Sequence, residues 1–484
     1  TRMLHLTLIP QTEFARVHAA PVDLHARLHL LADMCRANTL MAVKRAGSGH
    51  LGSSLSAMDI VVWLYYHQMN TVKLGVTHPD RDIYFSSKGH DVPGLYAVLY
   101  ALGILEKRQI LSLRRLGGLD GHPDVGIRGI ESNTGSLGMG IGKGRGMAWA
   151  KRHFNRGGHV YVMTGDGELQ EGEIYESLQT TVHQKAGGVT VIVDRNEVQS
   201  DKRTEEITSL GDLEAKFSSF GWKVARCSGH DFAALARALS AVRSPDCPGI
   251  VIADTIKGRG ISFMEHPAAL ADGGGLYRWH AGAPPDEPFQ AGYAELLASV
   301  QQQAARLGVG PVATEEVEPE VVSAAPALSL VGEPESQGKV RAPLKTSAEY
   351  VAEAYGQALV AAARRRADLV VLDADLAADC KIREFEKNVP ERFIENGIAE
   401  QDMVSMAGGM ARQGLLPVVN SFANFLAARA NEQIYTTATE KTKIIYALHY
   451  AGLIPAGPGK SHQSIRDISL LGALPNMVVV QPVN

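Results

Sequence analysis

Short apolar runs that fit buried strands alternate with helix-length segments twice along this 484-residue chain, once on each side of a stretch rich in Pro and Glu. Such alternation is the signature of parallel sheets covered by helices, an α/β fold class. On the first side, HVYVMT (159–164), GVTVIVD (188–194), WKVARC (222–227) and GIVIADT (249–255) read as strands. Helices are predicted over 171–186, 211–220, 231–243 and 290–307, with two more at 24–46 and 55–70 joined by the loop AGSGHLGSSLS. On the second side, a helix over 347–366 precedes DLVVLDAD, RFIENG, LLPVVNS, KIIYALH and MVVVQP, interleaved with helices over 400–413, 424–438 and 463–473. The predicted organisation is a first domain over 1–307, a linker over 308–345 with no helical period, and a second domain over 346–484. That second domain stops directly after a strand, so it reads as incomplete.

Composition excludes several classes. Against 52 Asp and Glu stand 48 Lys and Arg, a net charge of -4, which argues against a broadly basic nucleic-acid binder. No run approaches the roughly 18 apolar residues of a membrane span, and the N-terminal residues show no basic-then-apolar signal pattern. Cys35, Cys227, Cys247 and Cys380 have no metal-type spacing and are too few for a disulfide scaffold, which points to a reducing, cytoplasmic setting.

The chemistry concentrates in TGDGELQEGE (164–173), which follows a strand and opens a helix. Gly165 and Gly167 flank Asp166, so backbone can approach an anion with no side chain in the way. A helix starting near Glu171 would offer its first N–H groups to phosphate oxygens. At the end of the next strand, VDRNEVQSD places Asn196 thirty positions after Asp166. Adjacent parallel strands would bring both to their carboxyl edge, where ligands bind in such sheets. The Asp166 carboxylate, the Asn196 amide oxygen and the Val198 carbonyl then form a hard-oxygen set suited to Mg²⁺.

A GDG triplet followed about thirty residues later by Asn resembles the thiamine diphosphate fingerprint. The segments AGSGHLGSSLSAMDI, FSSKGHDVPGLYAVL, GLDGHPDVG, SNTGSLGMGIGKGRGMA, GDGELQEGEIYESL, IVDRNEVQSD and TIKGRGISFME are all similar to transketolase. The resemblance covers about residues 27–300 and continues less tightly over 346–484. It implies two thiamine diphosphate-binding domains, the first for diphosphate and Mg²⁺ (or Ca²⁺ or Mn²⁺), the second for pyrimidine. Against the family's usual three domains, it gives the expectation that the C-terminal one is lacking here. It also implies a homodimer in which the partner's second domain closes each active site.

Residue by residue, ENGIAEQDMVSMAGG matches the segment with the family's catalytic glutamate, so Glu400 would hydrogen-bond the pyrimidine N1′. FANFLAARANEQ makes Phe425 the partner stacked on that ring. His50, His90, His122, His280 and His462 lie in SGH, SKGH, DGHPDVG, RWHAGAP and KSHQ, loops that in the family surround the thiazolium and the ketose hydroxyls. His280 and His462 are expected to move protons at the substrate, and His50 and His90 to complete the catalytic set. Gly135 and Leu137 match the loop beside the two rings, and Glu171 and Glu176 the interface glutamate network.

The pattern also departs from relatives that use sugar phosphates. Lys345 best matches an expected Arg, Asp379 a Ser, and Pro458 an Asp, while a later Arg would fall beyond Asn484. An acidic Asp379 would repel a phosphate, and Lys460 stands as a replacement cation. Lys143 and Arg145 occupy a helix that is usually apolar in relatives. The resulting expectation is a transketolase-type transferase (EC 2.2.1.-, nearest 2.2.1.1). It would pass a two-carbon ketol unit from a ketose or its phosphate to an aldose or its phosphate, through a cofactor ylid and enamine. The alternatives are a deoxyxylulose-phosphate synthase-like ligase that decarboxylates pyruvate and a non-catalytic cofactor-binding paralogue.

Overall fold

The computed structural model describes residues 5–317 and 351–482, apart from 139, 154, 184, 402, 405–406, 408–410, 412–414, 440, 454–456 and 475. The first domain is built on five parallel strands: β1 (Ile83–Ser86), β2 (Val160–Gly165), β3 (Val189–Arg195), β4 (Lys223–Ser228) and β5 (Gly249–Asp254). Their order is β1-β2-β3-β5-β4. All seven residues of β3 are buried, as a continuous apolar run in a sheet covered on both faces should be. β1 is not among the strands expected from sequence, because its four residues run straight into the polar SSKGH loop and show no period of their own. Across β2 and β3, Gly165 pairs with Asp194, which sets Asp166 and Asn196 just beyond the same sheet edge.

The helix Leu24–Ala46 begins where the Asp23 carboxylate accepts from the Ala26 N–H and ends at Gly47, whose φ of +74° only glycine adopts without cost. Most of its residues are buried, including Arg36. That guanidinium is held by Asp59 at 2.5 Å, and Asp59 also accepts from His230 Nδ1 at 2.7 Å. His230 Nε2 in turn accepts from the Ile256 N–H at 2.9 Å, so the chain of contacts reaches the loop that carries Lys257. Arg36→Met removes the cation but leaves Asp59 buried. Urea unfolding should show a loss of about 3–5 kcal/mol, and an unchanged midpoint would mean that the pair contributes nothing.

The helix expected over 55–70 is divided into Gly52–Ser56, Met58–Trp63 and a π-turn at Leu64–Gln68. The boundary expected at 307 also moves. Glu315–Glu316 pairs antiparallel with Thr7–Leu8, and Val312 and Val317 are buried, so the chain through Val317 belongs to the first domain rather than to a linker. The rest of the expected linker lies outside the described residues.

The second domain carries four parallel strands, β6 (Leu369–Asp373), β7 (Phe393–Glu395), β8 (Leu416–Phe422) and β9 (Ile445–His449), in the order β9-β8-β6-β7. MVVVQP, expected as a further strand, forms no ladder: Val478 and Val480 are 82% and 78% exposed. β-Branched residues favour a strand only when a neighbour pairs with them. The last expected helix is confined to Asp467–Leu471. Among the described residues no helix is long and apolar enough to cross a membrane.

Candidate active site

A cavity of about 410 Å³ opens between the carboxyl edge of the first sheet and the second domain. At its floor Asp166 is 2% exposed. One of its carboxylate oxygens accepts from the Gly167 N–H at 2.8 Å. The other accepts from the Glu197 N–H at 2.6 Å and from Arg195 at 3.1 Å. Burial pushes the Asp166 carboxyl up, against the opposing pull of Arg195. Asn196 is turned by its amide NH₂, which donates to Asp194 at 3.2 Å. A β-carbon on Gly167 would lie 2.8 Å from the Gln199 side chain, so the second glycine of the motif is required by close packing.

The Val198 carbonyl accepts from the Lys257 ammonium at 2.8 Å, and that ammonium also meets the Gln199 carbonyl. Burial draws the Lys257 amine down to about 8. Among the described residues no three His, Cys, Asp or Glu side chains gather into a metal site. The oxygen set is instead one carboxylate, one amide and one carbonyl, donors of the type a hard divalent ion takes. The Lys257 ammonium on that carbonyl is a competing cation, which phosphate oxygens would offset. From the second glycine of the triplet the chain makes a 3₁₀ turn, Gly167–Gln170, and the α-helix starts at Gly172, beside the start expected near Glu171. The buried Glu168 carboxylate accepts from the Gly165 and Gly138 N–H groups and from Ser87, which braces the turn.

Four histidines gather above this floor. The His50 ring lies 5.3, 5.6 and 5.2 Å from those of His90, His122 and His280. His90 Nε2 is 2.9 Å from Ser53 Oγ, and His122 Nδ1 donates to the Pro458 carbonyl at 2.9 Å. The buried His280 Nδ1 has no partner among the described residues. From the second domain His462 stacks 4.4 Å from His122. Gly135, at φ +130°, passes so close that a β-carbon would sit 2.4 Å from the His122 ring.

Burial holds all five imidazoles below their ordinary range, His462 at about 4. They are therefore neutral in the fold at pH 7. Their stabilisation is complete above the unfolded value near 6.5 and is lost as pH falls toward the folded value. Each should cost on the order of 1–2 kcal/mol by pH 5. Thermal midpoints measured from pH 7.5 to 5 should fall steeply; a flat profile would contradict this burial.

The opposite wall belongs to the second domain. Glu400, 1% exposed, starts a helical turn and lines the cavity with Phe425. Phe425 lies 5.0 Å from His462 and opens a π-turn, Phe425–Arg429, a form of helix that recurs at functional sites. The turn delivers Arg429, whose Nη1 donates to Glu400 and to Glu171, each at 2.7 Å. Arg429 also donates to Ser136 and to the Leu137 carbonyl. Glu171 is raised to about 9, first by burial and then by the Glu400 charge, with Arg429 pulling the other way. The two carboxylates thus share one guanidinium and compete for its compensation.

The domains meet along a polar seam. Ser200 Oγ donates to Asp375 at 2.9 Å, Arg383 grips Asp201 at 2.6 Å, and Lys202 pairs with Glu386. Here one chain supplies both walls, where the resemblance implies that the partner's second domain supplies one of them.

Of the expected substrate residues, Lys460 is drawn away from this cavity: it is 72% exposed and pairs with Asp124. Its exposed ammonium finds a carboxylate on the surface loop before it can reach the cavity. Asp379 does line the mouth, and it is exposed. Lys345, and the side chains of Glu176 and Lys143, lie outside the described residues. Reading by motif passed over Arg429, Arg114, Lys88 and Lys257. The two lysines sit inside quoted glycine-rich loops, SKGH and TIKGRG, where a cation among glycines is itself a sign of an anion site. Lys88 donates to Asp194 at 2.6 Å beneath the histidines.

The family described as transketolase, thiamine diphosphate binding domain, matches residues 28–322, and transketolase, pyrimidine binding domain, matches residues 350–484. Transketolase-like protein 2 of Mus musculus is 31% identical over 461 residues, covering 93% of this chain and 69% of the relative. One of the subunits of the apulose-4-phosphate transketolase of Phocaeicola vulgatus is 32% identical over 277 residues, 57% of this chain and 95% of the relative. The transketolase structure from Leishmania mexicana superposes with a TM-score of 0.50 at 22% identity, over 94% of this chain and 72% of that one, which shows a shared fold.

Proposed function

The chain belongs to the transketolase family, and from that premise we propose that it moves a two-carbon ketol unit from a ketose donor to an aldose acceptor. The observation that carries this reading is one cavity in which Glu400, the five histidines and the Asp166, Asn196 and Val198 oxygens converge. Thiamine diphosphate, when bound, supplies the carbanion chemistry and the electron sink. Asp166, Asn196 and the Val198 carbonyl would hold its Mg²⁺, and Gly165 and Gly167 would admit the diphosphate.

The chain's own contribution is orientation and proton transfer. Glu400 would hold a proton at the pyrimidine N1′, with Phe425 against the ring. Neutral imidazoles can accept a hydroxyl proton and return it, and His280, whose Nδ1 lacks a partner among the described residues, and His462 are best placed to do so. His50 and His122 would bind the hydroxyls of a polyhydroxylated donor, which favours ketol transfer over pyruvate decarboxylation. Xylulose 5-phosphate or fructose 6-phosphate turnover in the absence of pyruvate tests this. The screen should include apulose 4-phosphate, since one relative is named for it. Carbon dioxide released from pyruvate would overturn the reading, and cofactor binding without any turnover would leave a paralogue.

The proposal includes a homodimer that exchanges second domains. Mixing an inactive Glu400 variant with an inactive Asp166 variant should recover activity if the walls come from different copies. No recovery would mean that each chain closes its own site.

A further inference from the structure

The buried guanidiniums of Arg36, Arg195 and Arg429 each meet a carboxylate. Arg114, which faces the same cavity as the histidines, meets none among the described residues. Its Nη1 donates to Ser48 Oγ at 3.2 Å and its Nη2 lies 3.3 Å from His50 Nδ1, while its Nε is buried without a partner. Gly457 and Pro458, which line the cavity beside it, bring no charge.

The chain goes to some length to place this side chain. Arg114 has a φ of +56°, a left-handed conformation that costs any residue with a β-carbon and that gathers at ligand clamps. Its N–H donates to the Leu119 carbonyl at 2.6 Å, which holds the turn. A β-carbon on Gly121 would stand 2.5 Å from Arg114 Nε, so that glycine keeps the space open. Burial alone draws the guanidinium down to about 10, and it therefore remains charged at neutral pH. A cation removed from water without a counter-ion is costly, and a planar fork of donors suits a carboxylate or a phosphate.

The position identifies which anion. Asp166, Asn196, Val198 and Lys257 mark the diphosphate end of the cavity, whereas Arg114 stands behind His50, in the histidine cluster. We propose that Arg114 receives an oxyanion of the substrate, a carboxylate or a phosphate, on the histidine side of the cavity, and so sets a preference for anionic over uncharged substrates. This inference rests on the ketol-transfer reading of the site.

The test uses the cofactor-loaded enzyme with glycolaldehyde as an uncharged acceptor and three donors: fructose 6-phosphate, hydroxypyruvate and uncharged erythrulose. Arg114→Gln should raise KM by about 10–100-fold for whichever donor carries the matching anion, the loss expected for one charge-assisted contact. The erythrulose kcat/KM should change by less than about threefold, and Arg114→Lys should recover part of the loss. A selective effect on hydroxypyruvate identifies a carboxylate, and one on fructose 6-phosphate a phosphate. Equal loss on charged and uncharged donors would overturn the proposal in favour of a purely structural side chain. A second measurement does not depend on turnover. Inorganic phosphate or acetate should raise the melting temperature of the native enzyme but not that of Arg114→Gln. If no donor is turned over, the ketol-transfer reading fails. The melting comparison then decides on Arg114 alone, and an equal shift in both proteins counts against it.

Discussion

Glu400→Gln should lower ketol transfer by about 10²–10⁴-fold, the range for removing a group that handles a proton in the transition state, while cofactor uptake stays near native. Glutamine preserves the shape of the side chain and can still accept from Arg429 Nη1, which lies 2.7 Å from the carboxylate in the native chain. It cannot hold and release a proton. The substitution therefore separates packing from chemistry at a residue only 1% exposed. Steady-state rates and calorimetric titration with thiamine diphosphate, run on the same preparation, give the comparison. A variant within about tenfold of native turnover would remove Glu400 from the mechanism.

Asp166→Asn should weaken metal-dependent cofactor retention by more than about 100-fold, since even outer partners of metal ligands are worth 10–100-fold. Asparagine keeps an acceptor for only one of the Gly167 and Glu197 N–H groups, which the two native carboxylate oxygens satisfy at 2.8 and 2.6 Å. What also disappears is the negative charge that balances Arg195 and would balance the divalent ion. Titrations with Mg²⁺ and with a chelator, read by calorimetry, should differ for the native chain and coincide for the variant. Equal retention in both proteins would show that the metal sits elsewhere.

Local pattern announced a good part of this. Asp166 of the GDG triplet and the Asn thirty residues on lie just past the ends of neighbouring strands, as a parallel sheet demands. Glu400, Phe425 and the five loop histidines line one cavity. The residues that escaped notice act through distant partners. Arg429 has nothing in its own segment to mark it; its meaning comes from Glu171, which lies 258 positions away. Arg114 is conspicuous only because no carboxylate among the described residues meets it, and composition cannot show that. MVVVQP failed in the opposite sense: strand propensity is local, but a ladder needs a second strand.

The seam between the two halves is polar, with two ion pairs, Asp201 with Arg383 and Lys202 with Glu386, and a hydrogen bond from Ser200 to Asp375. Contacts of that kind give up water reluctantly and weaken as salt rises, unlike the apolar cores that hold each half together. Raising the salt concentration should therefore loosen the contact between the halves, and with it the walls of the cavity, before it disturbs the apolar core of either half.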